Sequence, residues 1–472
     1  MQHDEGVGDI APAHNEYERE PVPAREFKSF GSFLTMYAGE HAAGTEFMIG
    51  PLFLTQGVSA FDLIVGLLLG NLLAVLSWRF LTAEVATKHR LTLYYQLERI
   101  TGRKFVIGYN LLNGILFCFL AGSMITVSAT AVGIPFGLEM PALDDTLPNG
   151  PLWILIVLAI GAVISIVAAR GYDTVSRFAS VAAPWMVAVF LACGIIALDG
   201  LGIGSFAEFW DTWNGTVNAF PVEESTRWSF WHVVIWSWFA NAAMHVGMSD
   251  LSVFRYAKEA SAGWATAAGM YVGHYMAWIA AALLYALYLQ SPEALTYLGN
   301  GEAPPVAPGP MTYSAIGVTG LLVVIVAGWT TANPTIYRAG LAFQGIFPKA
   351  STARVTLIAG GIATLAGIFP AFAMQLLGFV ATYGFLLAPV GAIIVFEHFF
   401  GTRFGLQPFW SAANGNVFNL AAFLAWVISI AVFYSISAFG GVFLSFLTAP
   451  AFLTTGVLYI VLSKLLNKKI AL

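Results

Sequence analysis

Charge is scarce in this chain: Asp, Glu, Lys and Arg make up only 10% of its 472 residues, against 58% hydrophobic and 14% aromatic residues. Soluble globular domains carry about a quarter charged residues, so that class is excluded and the solvent for most of the chain is lipid. Cysteine is almost absent. Cys118 and Cys193 each fall within an apolar run, which leaves no disulfide scaffold and no metal-ligand spacing. No phosphate-binding loop, nucleophile elbow or metal cluster occurs, which argues against an enzyme and against a resident cofactor. No basic surface stretch suits nucleic acid, and no continuous polar stripe suits a channel filter. Residues 1–28 lack any apolar run, are rich in acids and contain Pro12, Pro21 and Pro23. They read as a disordered tail without a cleavable signal.

What is present is a series of twelve apolar segments, each near the roughly 20 residues needed to cross a bilayer. They fall near 29–56, 60–83, 105–134, 151–169, 177–199, 229–250, 262–290, 313–338, 353–371, 373–396, 416–437 and 440–463. The connections alternate in sign. Counted this way, twenty of the 21 Lys and Arg residues lie on one side, Arg227 being the exception, while the opposite loops are acidic and rich in Pro, Gly and Asn. Basic loops stay cytoplasmic during insertion, so both termini are expected in the cytoplasm, with residues 464–472 as a short basic tail. The expected class is therefore an all-α polytopic protein of the cell membrane with a single transmembrane domain over 29–463. Leu91, Leu93, Tyr94 and Leu97 among polar residues suggest a short amphipathic helix on the cytoplasmic face.

Three segments are interrupted. In the first, Gly39-Glu40-His41-Ala42-Ala43-Gly44-Thr45-Glu46 places three ionisable side chains near mid-membrane, with Gly50-Pro51 beyond. Such residues are costly in lipid unless they face protein or water, and mark function. The sixth carries a matching interruption, Phe239-Ala240-Asn241-Ala242-Ala243-Met244-His245-Val246-Gly247, five segments later. Interrupted helices at corresponding positions of two halves point to an inverted five-helix repeat, over about 29–199 and 229–396, with the binding site at the breaks. Small residues in either helix alone would only signal close packing. The eighth contains Ala327-Gly328-Trp329-Thr330-Thr331-Ala332-Asn333-Pro334-Thr335-Ile336-Tyr337. There the hydroxyls of Thr330 and Thr331, with the Ala327 carbonyl and backbone oxygens at Gly39 and Ala42, offer a shell for a small hard cation. Paired threonines in a membrane helix otherwise bond back to their own turn.

These strings resemble the nucleobase:cation symporter-1 family, the cytosine/purine, uracil, allantoin and hydantoin permeases built on the leucine-transporter fold. The run Ala327–Tyr337 with Gly340-Leu341-Ala342 looks like that family's helix 8. Segment 372–399, with Leu386-Leu387-Ala388-Pro389-Val390-Gly391 and Phe396-Glu397-His398-Phe399, resembles its helix 10. Phe254-Arg255-Tyr256-Ala257-Lys258 resembles the signature after helix 6, and Asn419-Leu420-Ala421-Ala422-Phe423 the start of helix 11. The resemblance implies cation-coupled symport of a small molecule by alternating access, with Gly39, Ala42, Ala327, Thr330 and Thr331 at a sodium site. It also implies a substrate slot between helices 1, 3, 6 and 8, lined by Ala43, Trp236, Trp238 and Asn333. Phe117, Phe119, Trp236 and Trp238 offer faces for stacking a planar heterocycle, and Glu40, Asn241 and Asn333 offer edge hydrogen bonds. An ionised Glu40 would instead suit a cationic ring or amine, such as a thiamine-related compound. Glu40, His41, Glu46 and His245 are the candidate proton carriers. His274 reads as a core histidine, and Asp250 with Arg255 as a gate or structural pair. The expected partners are a small-molecule substrate and the bilayer, with no nucleic acid, and the chain is expected to act as a monomer.

Overall fold

A computed structural model describes residues 17–138, 141, 145–241, 248–371 and 375–467. Among them, nine helices are long and apolar enough to cross a membrane, and the shorter apolar helices Glu46–Thr55 and Thr352–Gly367 accompany them. No strand occurs among the described residues. This is a multi-pass helical membrane protein, as the hydropathy pattern requires: in lipid each backbone amide must be satisfied within its own segment.

In chain order the main helices are α1 (Phe30–Glu40), α2 (Glu46–Thr55), α3 (Asp62–His89), α4 (Leu93–Thr101) and α5 (Arg103–Gly133). They continue as α6 (Pro151–Ala169), α7 (Tyr172–Gly200), α8 (Phe206–Ala219), α9 (Phe230–Asn241) and α10 (Ala260–Tyr288). The chain ends with α11 (Val318–Ile346), α12 (Thr352–Gly367), α13 (Leu376–Phe396), α14 (Leu420–Gly440) and α15 (Leu444–Leu466). The amphipathic α4 is capped by Thr92, whose hydroxyl accepts the Tyr95 amide. It buries Leu93, Tyr94, Leu97 and Ile100.

The centre of the molecule is the long α5–α11 contact, with α12 packed beside it. Around this pair α1 lies on α7, α2 on α10, and α9 on α3, while α14 and α15 cover α13 from outside. Close approach depends on small residues. A side chain at Gly328 would meet the Ser128 hydroxyl of α5 at 1.9 Å.

Three boundaries differ from the sequence expectation. The eighth segment continues eight residues past 338, to Ile346, which draws Arg338 into the helix about 12 Å from its end. Disorder of the whole 1–28 tail does not extend to Tyr17–Lys28. Val22 is buried, its amide bonds to the Arg90 carbonyl, and Arg19 makes a two-pronged bond to Glu98 on α4 at 2.9 and 2.6 Å. The last helix runs to Leu466, so Lys464 belongs to it rather than to a tail. Of the sixth-segment interruption, residues 242–247 lie outside the described residues, and with them His245.

Candidate functional site

The first apolar segment is two helices because its sequence cannot sustain one. α1 stops at Glu40, residues 41–45 form bends and a turn, and α2 restarts at Glu46. The freed backbone turns toward α11: the Gly44 amide donates to the Ala327 carbonyl at 2.8 Å. Only glycine fits there, since a Cβ on Gly44 would sit 2.9 Å from the Gly328 nitrogen. Gly39 is equally tight against α7, where a Cβ would meet Ala183 at 2.7 Å. Ala42 and Ala43 are fully buried.

On α11 the Ala327 carbonyl also accepts the Thr330 hydroxyl at 2.7 Å, the back-bond expected of a helical threonine. Thr331 behaves differently. Its hydroxyl is buried and has no partner among the described residues. The same holds for both ends of the Asn333 carboxamide, on a residue with no exposed surface. Unpaired buried polar atoms are uncommon and call for an explanation such as a ligand or ordered water.

A narrow cleft opens beside them between α1, α7, α11 and the short stretch 249–253. Its walls include Met36, Glu40, Phe178, Ser249, Thr330, Asn333, Tyr337 and Arg338. It thus collects three of the residues singled out from sequence, Glu40, Thr330 and Asn333. Glu40 is not alone there. Arg338 bonds both its carboxylate oxygens and also reaches Asp250 Oδ1 at 3.3 Å. Asp250 Oδ2 in turn accepts the Tyr37 hydroxyl at 2.6 Å and the Trp78 indole N–H at 2.9 Å. Asp250, expected beside Arg255, is thus joined to α1, α3 and α11 by this network. Arg255 instead donates to the carbonyls of Ser252 and Tyr17 and to the Tyr256 hydroxyl.

Glu46 occupies a separate polar pocket on the other side of the break. Trp278 donates to it at 2.7 Å and Thr45 at 3.0 Å, and His274 Nε2 stands 3.7 Å away. The His274 ring stacks on Trp278 and meets the His41 ring edge-on at 4.6 Å, while His41 Nδ1 lies 2.8 Å from the Tyr37 carbonyl. His274 is therefore part of the acid–imidazole group rather than an isolated core residue.

The aromatic candidates divide. Trp236 joins Phe53, Trp228 and Trp278 in a cluster of ring contacts between 5.7 and 5.9 Å. Trp238 points the other way, donating to Ser77 on α3 at 3.0 Å and stacking on Phe239. Phe117 is buried edge-on to Tyr383, whose hydroxyl donates to Asn113, which donates to Tyr94. Phe119, two residues on, is half-buried. Asn241 donates to the Ser237 carbonyl, and its own oxygen has no partner among the described residues.

Arg338 is the participant that sequence reasoning missed. The sequence pattern makes it the last residue of the eighth segment, counted among the bases of one face. The signal was available: two acids buried within apolar segments require a buried base.

No family model and no curated protein sequence matches this chain. Solved structures do. Mhp1, a nucleobase-cation-symport-1 family transporter, in a closed conformation with bromovinylhydantoin bound, superposes with a TM-score of 0.72 over 97% of this chain and 95% of that one, at 16% identity. The inward-facing conformation of Mhp1 gives 0.67 over 98% and 96%, also at 16% identity. A Na+-coupled sialic acid symporter in a substrate-bound outward-open state gives 0.66 over 96% and 92%, at 14% identity. This chain has the fold of those transporters over nearly its whole length, the leucine-transporter architecture that the family resemblance implied.

Proposed function

We propose that this protein is a secondary active transporter that carries a small nucleobase-like heterocycle into the cell together with a cation, by alternating access. The observation that carries this reading is the junction of the helix break with α11. There Gly44 bonds Ala327, and among the described residues the Thr331 hydroxyl is buried without a partner and Asn333 has a donor and an acceptor without one beside the cleft. The carbonyls of Gly39, Ala42 and Ala327 with the hydroxyls of Thr330 and Thr331 are a hard-oxygen set suited to sodium. The bound cation stabilises the arrangement in which the substrate slot is formed, so each ligand raises the affinity for the other. Asn333, Ala43, Trp236 and Glu40 are the residues assigned to the substrate, and the basic face of the molecule, with both termini, is assigned to the cytoplasm.

A second reading, symport of a cationic or amine substrate, draws on one specific observation. Glu40 is a buried acid in the cleft wall, and a second buried acid, Asp250, lies against the same Arg338.

Uptake into proteoliposomes of labelled nucleobases, allantoin, hydantoin and thiamine precursors, under an imposed sodium or proton gradient, tests both readings. Accumulation of a neutral heterocycle driven by sodium is expected, and Thr330→Ala with Thr331→Ala is expected to abolish the sodium stimulation. Sodium dependence that survives the double substitution removes the ion assignment. Drive by protons alone moves the coupling role to the Glu46 pocket, and uptake confined to cationic compounds selects the second reading.

A further inference from the structure

Arg338 does more in this architecture than neutralise a carboxylate. Its guanidinium is held in a fork between two segments that are not covalent neighbours: Glu40 at the end of α1, and Asp250 in the stretch that leads out of the sixth segment. Its own helix, α11, packs along its length on α5. All three charged groups are at most 9% exposed, so water contributes little to loosening them. Asp250 is further fixed by Tyr37 of α1 and Trp78 of α3, which ties the same knot a second time to α1 and also to α3. Arg338 and Glu40 both form the wall of the cleft. For the cleft to widen toward the basic face, α1 and the 249–253 stretch must draw away from α11, and the Arg338 fork spans that gap.

We propose that Arg338 is the inner lock of the transport cycle, a positioning residue whose release from Glu40 permits the cleft to open to the cytoplasm. The proposal deepens the alternating-access reading and rests on it for its purpose. The planar fork matters, because a guanidinium engages two carboxylates along fixed directions whereas an ammonium on the same stem cannot. A lock made this way is bistable. A guanidinium held between two buried acids stays engaged until one of them is relieved of charge or offered another cation.

The test needs no knowledge of the substrate. Ser249, buried in the cleft wall, is replaced by Cys, and Cys118 and Cys193 are kept as buried sentinels of unfolding. The full chain is reconstituted in vesicles with the basic face outward and treated with a membrane-impermeant maleimide. With native Arg338, Cys at 249 is expected to label slowly. Arg338→Gln is expected to raise that rate roughly tenfold, with Arg338→Lys in between, while both sentinels stay protected. Should Arg338→Gln expose the sentinels, Glu40→Gln decides, since it loosens α1 yet leaves Asp250 paired. Labelling at 249 unchanged in Glu40→Gln, or in a folded Arg338→Gln, overturns the lock. Faster labelling in a protein that takes up none of the compounds keeps the lock and discards the substrate reading instead.

Discussion

The two sides of the helix break are closed by different chemistry. Beside α2, Phe53, Trp228, Trp236 and Trp278 meet ring against ring, with Trp278 lending its N–H to Glu46. Beside α1, the contact is ionic: Glu40, Arg338 and Asp250, with Tyr37 and Trp78 completing the hydrogen bonds. Aromatic packing is broad, tolerant of sliding and insensitive to salt. A buried charge network is directional and close to all-or-none, because removing one partner strands the others in a place of low dielectric. A molecule built this way can flex gradually on the aromatic side and must switch on the ionic side.

The comparison is broken hardest at Arg338. Arg338→Ala leaves two buried carboxylates without their base and is expected to cost about 3–5 kcal/mol of unfolding free energy. The double substitution Arg338→Ala with Glu40→Ala should recover part of that loss, since one stranded charge is gone. Unfolding in mixed micelles measures both. A loss below about 1 kcal/mol for the single change would show that water reaches the acids, and that the ionic side is no drier than an exposed surface.

On the aromatic side, Trp236→Ala removes a large buried ring and leaves a cavity, at a cost of about 3 kcal/mol. Trp236→Phe should retain most of the packing. The sharper measurement is the dependence on identity: the aromatic side should accept any flat apolar ring, whereas Arg338→Lys should keep the ionic side only in part. Equal tolerance at both positions would erase the distinction.

Why one of these sides was legible in the sequence and the other was not follows from how each is encoded. Apolar runs report membrane helices directly, and the glycines and acids between Gly39 and Glu46 report the break, since no uninterrupted helix in lipid would carry them. Trp236 and Trp238 are two positions apart on a helix and cannot share a face, so one had to turn inward, but periodicity does not say which. The partner of Glu40 lies 298 positions away, a pairing that only the packing of α1 against α11 creates. Arg338 was further disguised by its neighbours. The eighth segment is bounded at Arg338 in the sequence pattern, whereas Ala339 to Phe343 continue the helix, so a base that sits inside α11 is taken for its end. The tail shows the reverse error. Its acids and prolines suggest disorder, yet the Val22 amide bonds the Arg90 carbonyl and Arg19 pairs with Glu98 of α4.

That last pair supplies the finest test, because it repeats the Arg–Glu chemistry of the inner lock outside the membrane. Arg19 and Glu98 have side chains 43% and 16% exposed, against 8% each for Arg338 and Glu40. Arg19 also lies over the Tyr95 ring, 4.8 Å from its centre. With water competing for both partners, Arg19→Ala is expected to cost no more than about 0.5 kcal/mol, and that small effect should vanish in high salt. The same salt should leave the Arg338→Ala penalty untouched. If the two arginines respond alike to salt, burial is not what distinguishes them, and the lock must owe its strength to the number of its partners.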